Sequence, residues 1–183
     1  MLNTFNARGK PGVFLSVLGI VFLLAGIIGY TFTGEIEDVP TPIAQNQAFF
    51  SGEPLPENFL SSLVTAELTV TWDRDDVWIG LVDADEKKRC EDVPDFFKSE
   101  MGCDGTSTNF VAGDSGAIAS EGFTWEMEPG TYYAALGAKD GALPAGSEVV
   151  VSYEVHLGHS LLSLLIAIGS IFSGSVLMYY GRG

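Results

Sequence analysis

Positive charge is scarce in this sequence. Nine Lys and Arg stand against 24 Asp and Glu, and the formal net charge is −15. A chain so acidic repels phosphate, which excludes bulk nucleic-acid binding. Histidine and cysteine are nearly absent, with two of each. Both histidines, His156 and His159, fall late in the chain. A serine nucleophile elsewhere therefore lacks a base within its own stretch. No Asn-x-Ser/Thr sequon occurs, so there is no N-glycosylation acceptor. Two further absences are local: Val13–Phe32 and Leu157–Tyr180 contain no Asp, Glu, Lys or Arg. Neither stretch offers a charged residue for a proton or ion pathway.

Those two uncharged runs organise the rest. A helix rises about 1.5 Å per residue, so twenty residues cross a bilayer core of roughly 30 Å. The first run exceeds the usual core of a signal peptide, and no small-x-small cleavage site follows it, so it reads as an uncleaved anchor. All 24 acidic residues lie between Glu35 and Glu154, whereas Arg8, Lys10 and Arg182 flank that span. The positive-inside rule then puts both termini in the cytoplasm and the acidic middle outside. The expected organisation is a cytoplasmic tail over 1–12, a transmembrane helix over 13–32, and a Pro-rich acidic connector over 33–60. An extracytoplasmic domain over 61–157, a second transmembrane helix over 158–180 and a tail over 181–183 complete it.

From Ser61 onward the pattern has period two. Val64, Ala66, Leu68, Val70 and Trp72 share one face, and Thr65, Glu67, Thr69 and Thr71 the other. Val77–Val82 is apolar on both parities, which predicts a central strand. Phe123, Trp125 and Met127 alternate with polar residues, Pro129-Gly130 signals a turn, and Thr131–Leu136 is another strand. Val149–Leu157 alternates again. Ile43–Ser51 has the length of a short edge strand, and Asn109–Ala119 predicts two short strands around Gly113-Asp114. The fold class that follows is a mainly β, antiparallel extracytoplasmic sandwich of six to eight strands between two transmembrane helices.

Several constellations carry chemical meaning. Cys90 and Cys103 lie in the predicted outside segment, where a disulfide persists; two free thiols or half a metal site are the alternatives. A bridge would tie a loop around Pro94, Phe96 and Phe97 with room for a helical turn, and stabilise by about 3 kcal/mol in the chain-entropy model. Asp73, Asp75 and Asp76, with Asp83, Asp85 and Glu86, cap the two ends of one strand, and the five aspartates are the candidate calcium ligands; no other cofactor is expected. Trp72, Trp78 and Trp125, with Tyr132 and Tyr133, have the composition of a glycan platform, although Trp72 and Trp125 sit on core parities. Gly113-Asp114-Ser115-Gly116 looks like a serine-protease nucleophile motif, but without a base it reads as a glycine turn. His156 and His159 would need a third metal ligand from a distant loop. In the apolar runs, Gly19, Ala25, Gly26 and Gly29 on the first and Ser163, Ala167, Ser170 and Gly174 on the second form small-residue faces. Such faces suit an antiparallel hairpin or self-association.

The segment Phe123–Ser160 resembles the end of a Golgi-dynamics (GOLD) domain. The matching parts are Phe123–Met127, Pro129-Gly130, Tyr132-Tyr133, and Val149–Leu157 with Gly158 leading into a membrane helix. Pre-peptidase C-terminal sandwiches share the Pro-Gly-Thr-Tyr turn. The resemblance implies a β-sandwich acting in cargo selection and protein–protein contact. Tyr133 is followed by Ala134-Ala135 where that family usually carries a cysteine, and there is no room for its coiled coil. The function expected is non-enzymatic: an interaction module or accessory subunit, with the lipid bilayer and other membrane proteins as partners. The alternative is a surface receptor binding calcium, a glycan or another ligand.

Overall fold

A computed structural model describes residues 9–41, 48–59, 61–93, 103–139 and 143–181. The chain divides into two compact units. One comprises the terminal helices with residues 60–66, and the other is a β-sandwich over 32–59 and 67–155.

The helical unit holds α1 (Gly9–Ile28) and α3 (Leu161–Tyr180). Each has the length and apolar composition to cross a membrane. α1 starts four residues earlier than the apolar run and ends four residues sooner. Pro11 is tolerated in the first turn, where its missing N–H would have no partner anyway. Gly29 adopts φ +67 and its N–H bonds the Ala25 carbonyl at 3.1 Å, so the chain leaves the helix in a left-handed cap that glycine alone makes cheaply. At the other end, Ser160 caps α3 with its hydroxyl, accepting from the Ser163 N–H at 3.3 Å.

The start of the expected connector, 33–40, belongs to a strand. β1 runs from Tyr30 to Pro40 and occupies the edge of a sheet ordered β1-β8-β3-β6, where β3 is Val64–Trp72, β6 Phe123–Glu126 and β8 Glu148–His159. Tyr30-Thr31-Phe32-Thr33 alternates aromatic and β-branched residues, which suits a pleated strand and not a helix end. Three contacts, Thr31–His156, Glu35–Ser152 and Thr41–Ser147, descend β8 as they ascend β1, so the pair is antiparallel. β1 hides neither face: almost every side chain is exposed. That is why it carries no buried period.

The second sheet is ordered β2-β7-β4-β5, with β2 Phe49–Phe50, β4 Val77–Asp83, β5 Ala112–Gly113 and β7 Tyr132–Ala138. β4 is buried from Val77 to Val82 and pairs with β7 in the register Ile79↔Leu136 and Leu81↔Ala134. In the first sheet β3 pairs with β6, placing Leu68 opposite Trp125 and Val70 opposite Phe123. The first sheet supplies Leu68, Val70, Trp72, Trp125, Val149 and Val155 to the core, and β4 is buried on both faces: Ile79 and Leu81 lie on one, while Trp78 and Val82 lie on the other and pack with Ala135, Phe50, Phe110 and Tyr133. Only the two-residue β5 forms in the stretch expected to hold two strands. Of the expected edge strand, 43–47 lies outside the described residues, as do Arg8, Pro94, Phe96, Phe97 and Arg182.

Between β4 and β5 lies α2, Ala84–Glu91. Asp83 is its N-cap and accepts from the Glu86 N–H at 2.7 Å. The Asp83-x-x-Glu86 spacing is a helix-start signal in the sequence itself.

Candidate functional site

The most unusual surface belongs to the helical unit. Along α1 the residues turned inward are Gly9, Gly12, Ser16 and Gly19, with Gly26 half-buried; along α3 they are Ala167 and Gly174. Their spacing of three and four keeps them on one stripe. A side chain at Gly12 would meet the Gly174 carbonyl at 2.7 Å, and one at Gly19 would meet the Ala167 carbonyl at 2.8 Å. The helices therefore run antiparallel at close range. Ser16 donates its hydroxyl across to the Ile171 carbonyl at 3.4 Å. The outward residues are large and apolar: Phe14, Val21, Phe22, Leu24 and Ile27 on α1, and Leu165, Ile166, Ile168 and Phe172 on α3. Phe14 and Phe172 are 69% and 72% exposed. A hairpin meant for water does the reverse, hiding large side chains and showing polar ones.

The small-residue faces named from sequence are thus partly engaged within the chain. Gly19, Gly26, Ala167 and Gly174 lie at close approaches, whereas Ala25 is exposed and Gly29 backs onto the ring of His156. Ser170 is half-buried, and Ser163 donates its hydroxyl to the Ser160 carbonyl of its own helix at 2.9 Å. Gly9 and Gly12 precede the apolar run that begins at Val13, and Ser16 lies within it, where a single serine among apolar residues gives no signal.

In the sandwich unit, Cys90 and Cys103 form a buried disulfide. Beside it Glu86 is only 7% exposed. Its carboxylate accepts two bonds from Arg89, at 2.6 and 2.8 Å, and two from Asn109, from the backbone N–H at 2.7 Å and the side-chain amide at 3.1 Å. Arg89 also donates to the Ser107 carbonyl at 2.8 Å. This knot ties α2 to the segment after Cys103. Among the described residues, Glu86, Cys90 and Cys103 form the one group of potential metal donors, and its sulfurs are spent on each other. The Arg89 guanidinium first, then the Asn109 bonds, hold the Glu86 carboxyl down at about 2 against burial, which pushes it up.

That depression makes a testable contribution to stability. The folded value lies below the ordinary 4.5, so the contribution is complete above about pH 4.5 and is lost as pH falls through 2. At full strength the gap corresponds to about 3 kcal/mol. Solvent at the half-exposed Arg89 reduces it to the order of 1–2 kcal/mol. Urea unfolding at a series of pH values is expected to show wild type losing stability over that window, while Glu86→Gln starts lower and changes less.

The candidate calcium ligands do not converge. Asp73, Asp75 and Asp76 stand at one end of β4 and Asp83 and Asp85 at the other. Asp76 pairs with Arg74 through two bonds of 2.7 and 2.9 Å, which lowers its carboxyl pKa. Asp73 accepts from the Val150 N–H at 2.9 Å, Asp75 from the Ala119 N–H at 3.2 Å, and Asp83 caps α2. These are turn and cap duties. The three tryptophans are buried, so they form no exposed glycan platform; Tyr132 packs edge-on against Trp125 at 4.6 Å. Ser115 sits in a turn where Asp114 accepts from the Gly116 N–H at 2.5 Å, and both histidines belong to the other unit. There His156 bonds the Thr31 hydroxyl at 2.8 Å and His159 packs on Gly26.

An open groove of about 340 Å³ crosses the solvent face of the first sheet, lined by Thr33, Glu35, Thr69, Thr71, Ser152 and Glu154 among others. Hydroxyls and two carboxylates converge on it. No sequence motif marks it, because its residues come from three separate strands.

No protein-family model and no curated protein matches the chain. Among solved structures, a chain from the X-ray structure of tomato aspermy virus matches with a TM-score of 0.39 and 14% identity, over 70% of this chain and 76% of that one. A likeness at that level carries no argument about fold or function.

Proposed function

We propose that this chain is a non-enzymatic, membrane-anchored β-sandwich that serves as an interaction module or accessory subunit of a membrane protein assembly. The observation that carries the reading is the inverted helix pair. Small residues line its seam and large apolar ones its outer surface, and only a lipid solvent makes that arrangement favourable. Lys10 near the start of α1, with Arg8 and Arg182 at the chain ends, argues for cytoplasmic termini, and the acidic sandwich belongs on the opposite side. The disulfide fits an oxidising compartment. The likeness of residues 123–160 to a Golgi-dynamics domain fits a sandwich used for protein contact.

Because Gly19, Ala167 and Gly174 pack within the chain, a membrane partner would meet the outer apolar faces and not this seam. The test is crosslinking in native membranes, extraction in a mild detergent and mass spectrometry. Stoichiometric membrane proteins crosslinked to the chain are the expected result. A chain released by alkaline wash, or a stable monomer with nothing attached, would defeat the reading.

The groove of Glu35, Ser152 and Glu154 favours a second reading, a ligand- or calcium-binding surface receptor. Calorimetry that shows no heat with millimolar calcium would remove its metal version.

A further inference from the structure

The two helices are not the whole of the membrane contact. We propose that the turn Ser61–Leu63 rests in the lipid headgroup layer as a third, non-helical contact; this rests on the anchoring reading above.

Ser160 sets the level of the turn. It is the N-cap of α3, and the next residue, Leu161, is 73% exposed and opens a span of 20 residues. At about 1.5 Å per residue that span is about the thickness of the hydrocarbon core, so Ser160 lies at its boundary. The turn is bonded to this residue twice. Ser160 donates its hydroxyl to the Ser62 carbonyl at 2.6 Å and its N–H to the Leu63 carbonyl at 3.2 Å. The headgroup layer is about 5–8 Å thick on each side. A segment held within hydrogen-bond distance of Ser160 therefore stays inside it.

The chemistry of the turn agrees. Ser61, Ser62, Leu63 and Val64 carry no charge in a chain whose middle is strongly acidic. Leu63 is 40% exposed, which leaves its side chain free to meet an apolar phase outside the protein. Seryl carbonyls and hydroxyls can exchange hydrogen bonds with headgroups and interfacial water, while the leucine reaches the top of the acyl chains. α1 ends at the same level, since Gly26 packs on His159, one residue before the cap. β3 begins at Val64, directly after the turn, so a lipid contact here acts on the first residues of that strand.

The experiment uses the full chain in phosphatidylcholine vesicles. All three native tryptophans are buried, so an added indole reports its own position. Leu63→Trp is reconstituted with lipids brominated near the carbonyl end or near the methyl end of the acyl chains. Its extra emission is expected to be quenched about twofold or more beyond wild type by the shallow bromines, less by the deep ones, and little by aqueous iodide, as for an interfacial indole. Ser62→Trp is the second probe, should the first disturb folding, and is expected to show the same order. Quenching by iodide without quenching by either lipid overturns the inference, as does stronger quenching by the deep bromines. If the protein survives alkaline wash in those vesicles, the anchoring reading stands and the turn alone is misplaced. If the wash removes it, both fall.

Discussion

Replacing Gly174 with leucine is expected to drive α1 and α3 apart. A Cβ at this position would overlap the Ser16 hydroxyl and stand 2.6 Å from the Gly12 carbonyl and 2.7 Å from the Ser16 nitrogen. Two of those atoms are backbone and cannot rotate away. Overpacking a well-filled site costs about 1–3 kcal/mol, and a clash with backbone lies at or beyond the top of that range. The lost close approach removes dispersion along the seam as well, and in lipid no hydrophobic term compensates. The control lies on the same helix. Gly169 has nothing within 4 Å of where its side chain would start, so Gly169→Leu keeps the hairpin. Thermal unfolding in mild detergent, with energy transfer between labels on the two helices, should show a large fall in midpoint for Gly174→Leu and little change for Gly169→Leu. Equal behaviour of the two variants would mean that the seam does not hold the helices.

Trp78→Ala is expected to cost the sandwich about 3–5 kcal/mol, a large part of a marginal domain's stability. Trp78 is 2% exposed and packs on Val82 and Ala135, with Phe110 edge-on at 5.2 Å. Gly137, its cross-strand partner on β7, leaves the space its indole fills, and any side chain there would overlap the ring. Alanine would leave a cavity that β4 cannot close, because β4 is hydrogen-bonded between β7 and β5. At about 4–8 °C per kcal/mol for a domain near a hundred residues, the melting midpoint should fall by more than 10 °C. Trp78→Phe should recover part of the loss. Circular dichroism melts of the full chain read both, and a melt of Trp78→Ala within a degree or two of wild type would sink the packing argument.

Trp78 also marks where sequence reasoning thinned. Its parity is shared with Gly80 and Val82, and in a strand buried on both sides alternation carries no information. Glu86 is a second case. In the sequence it is one acid among many, and only the bonds from Arg89 and Asn109 explain its burial. The five candidate calcium ligands look clustered along the chain, yet the extended strand over 77–82 separates the two groups. β1 hid for the opposite reason: exposed on both faces, it has no buried period to detect.

What the sequence determined by itself is whatever its periodicity and absences could encode. These include the alternation of β3 and β8, the unbroken apolarity of β4, the two uncharged helical runs, and a cysteine pair with nothing nearby to compete for it. Each is a local property, set by the face a residue must bury or the solvent a segment must match. The tertiary structure alone decided the strand order, the edge role of β1, the glycines that meet across the helix seam, and the acid that lies buried against a disulfide. Those depend on pairs of residues far apart in the chain. A non-local contact leaves no period in one sequence, because its energy appears only when both partners are in place.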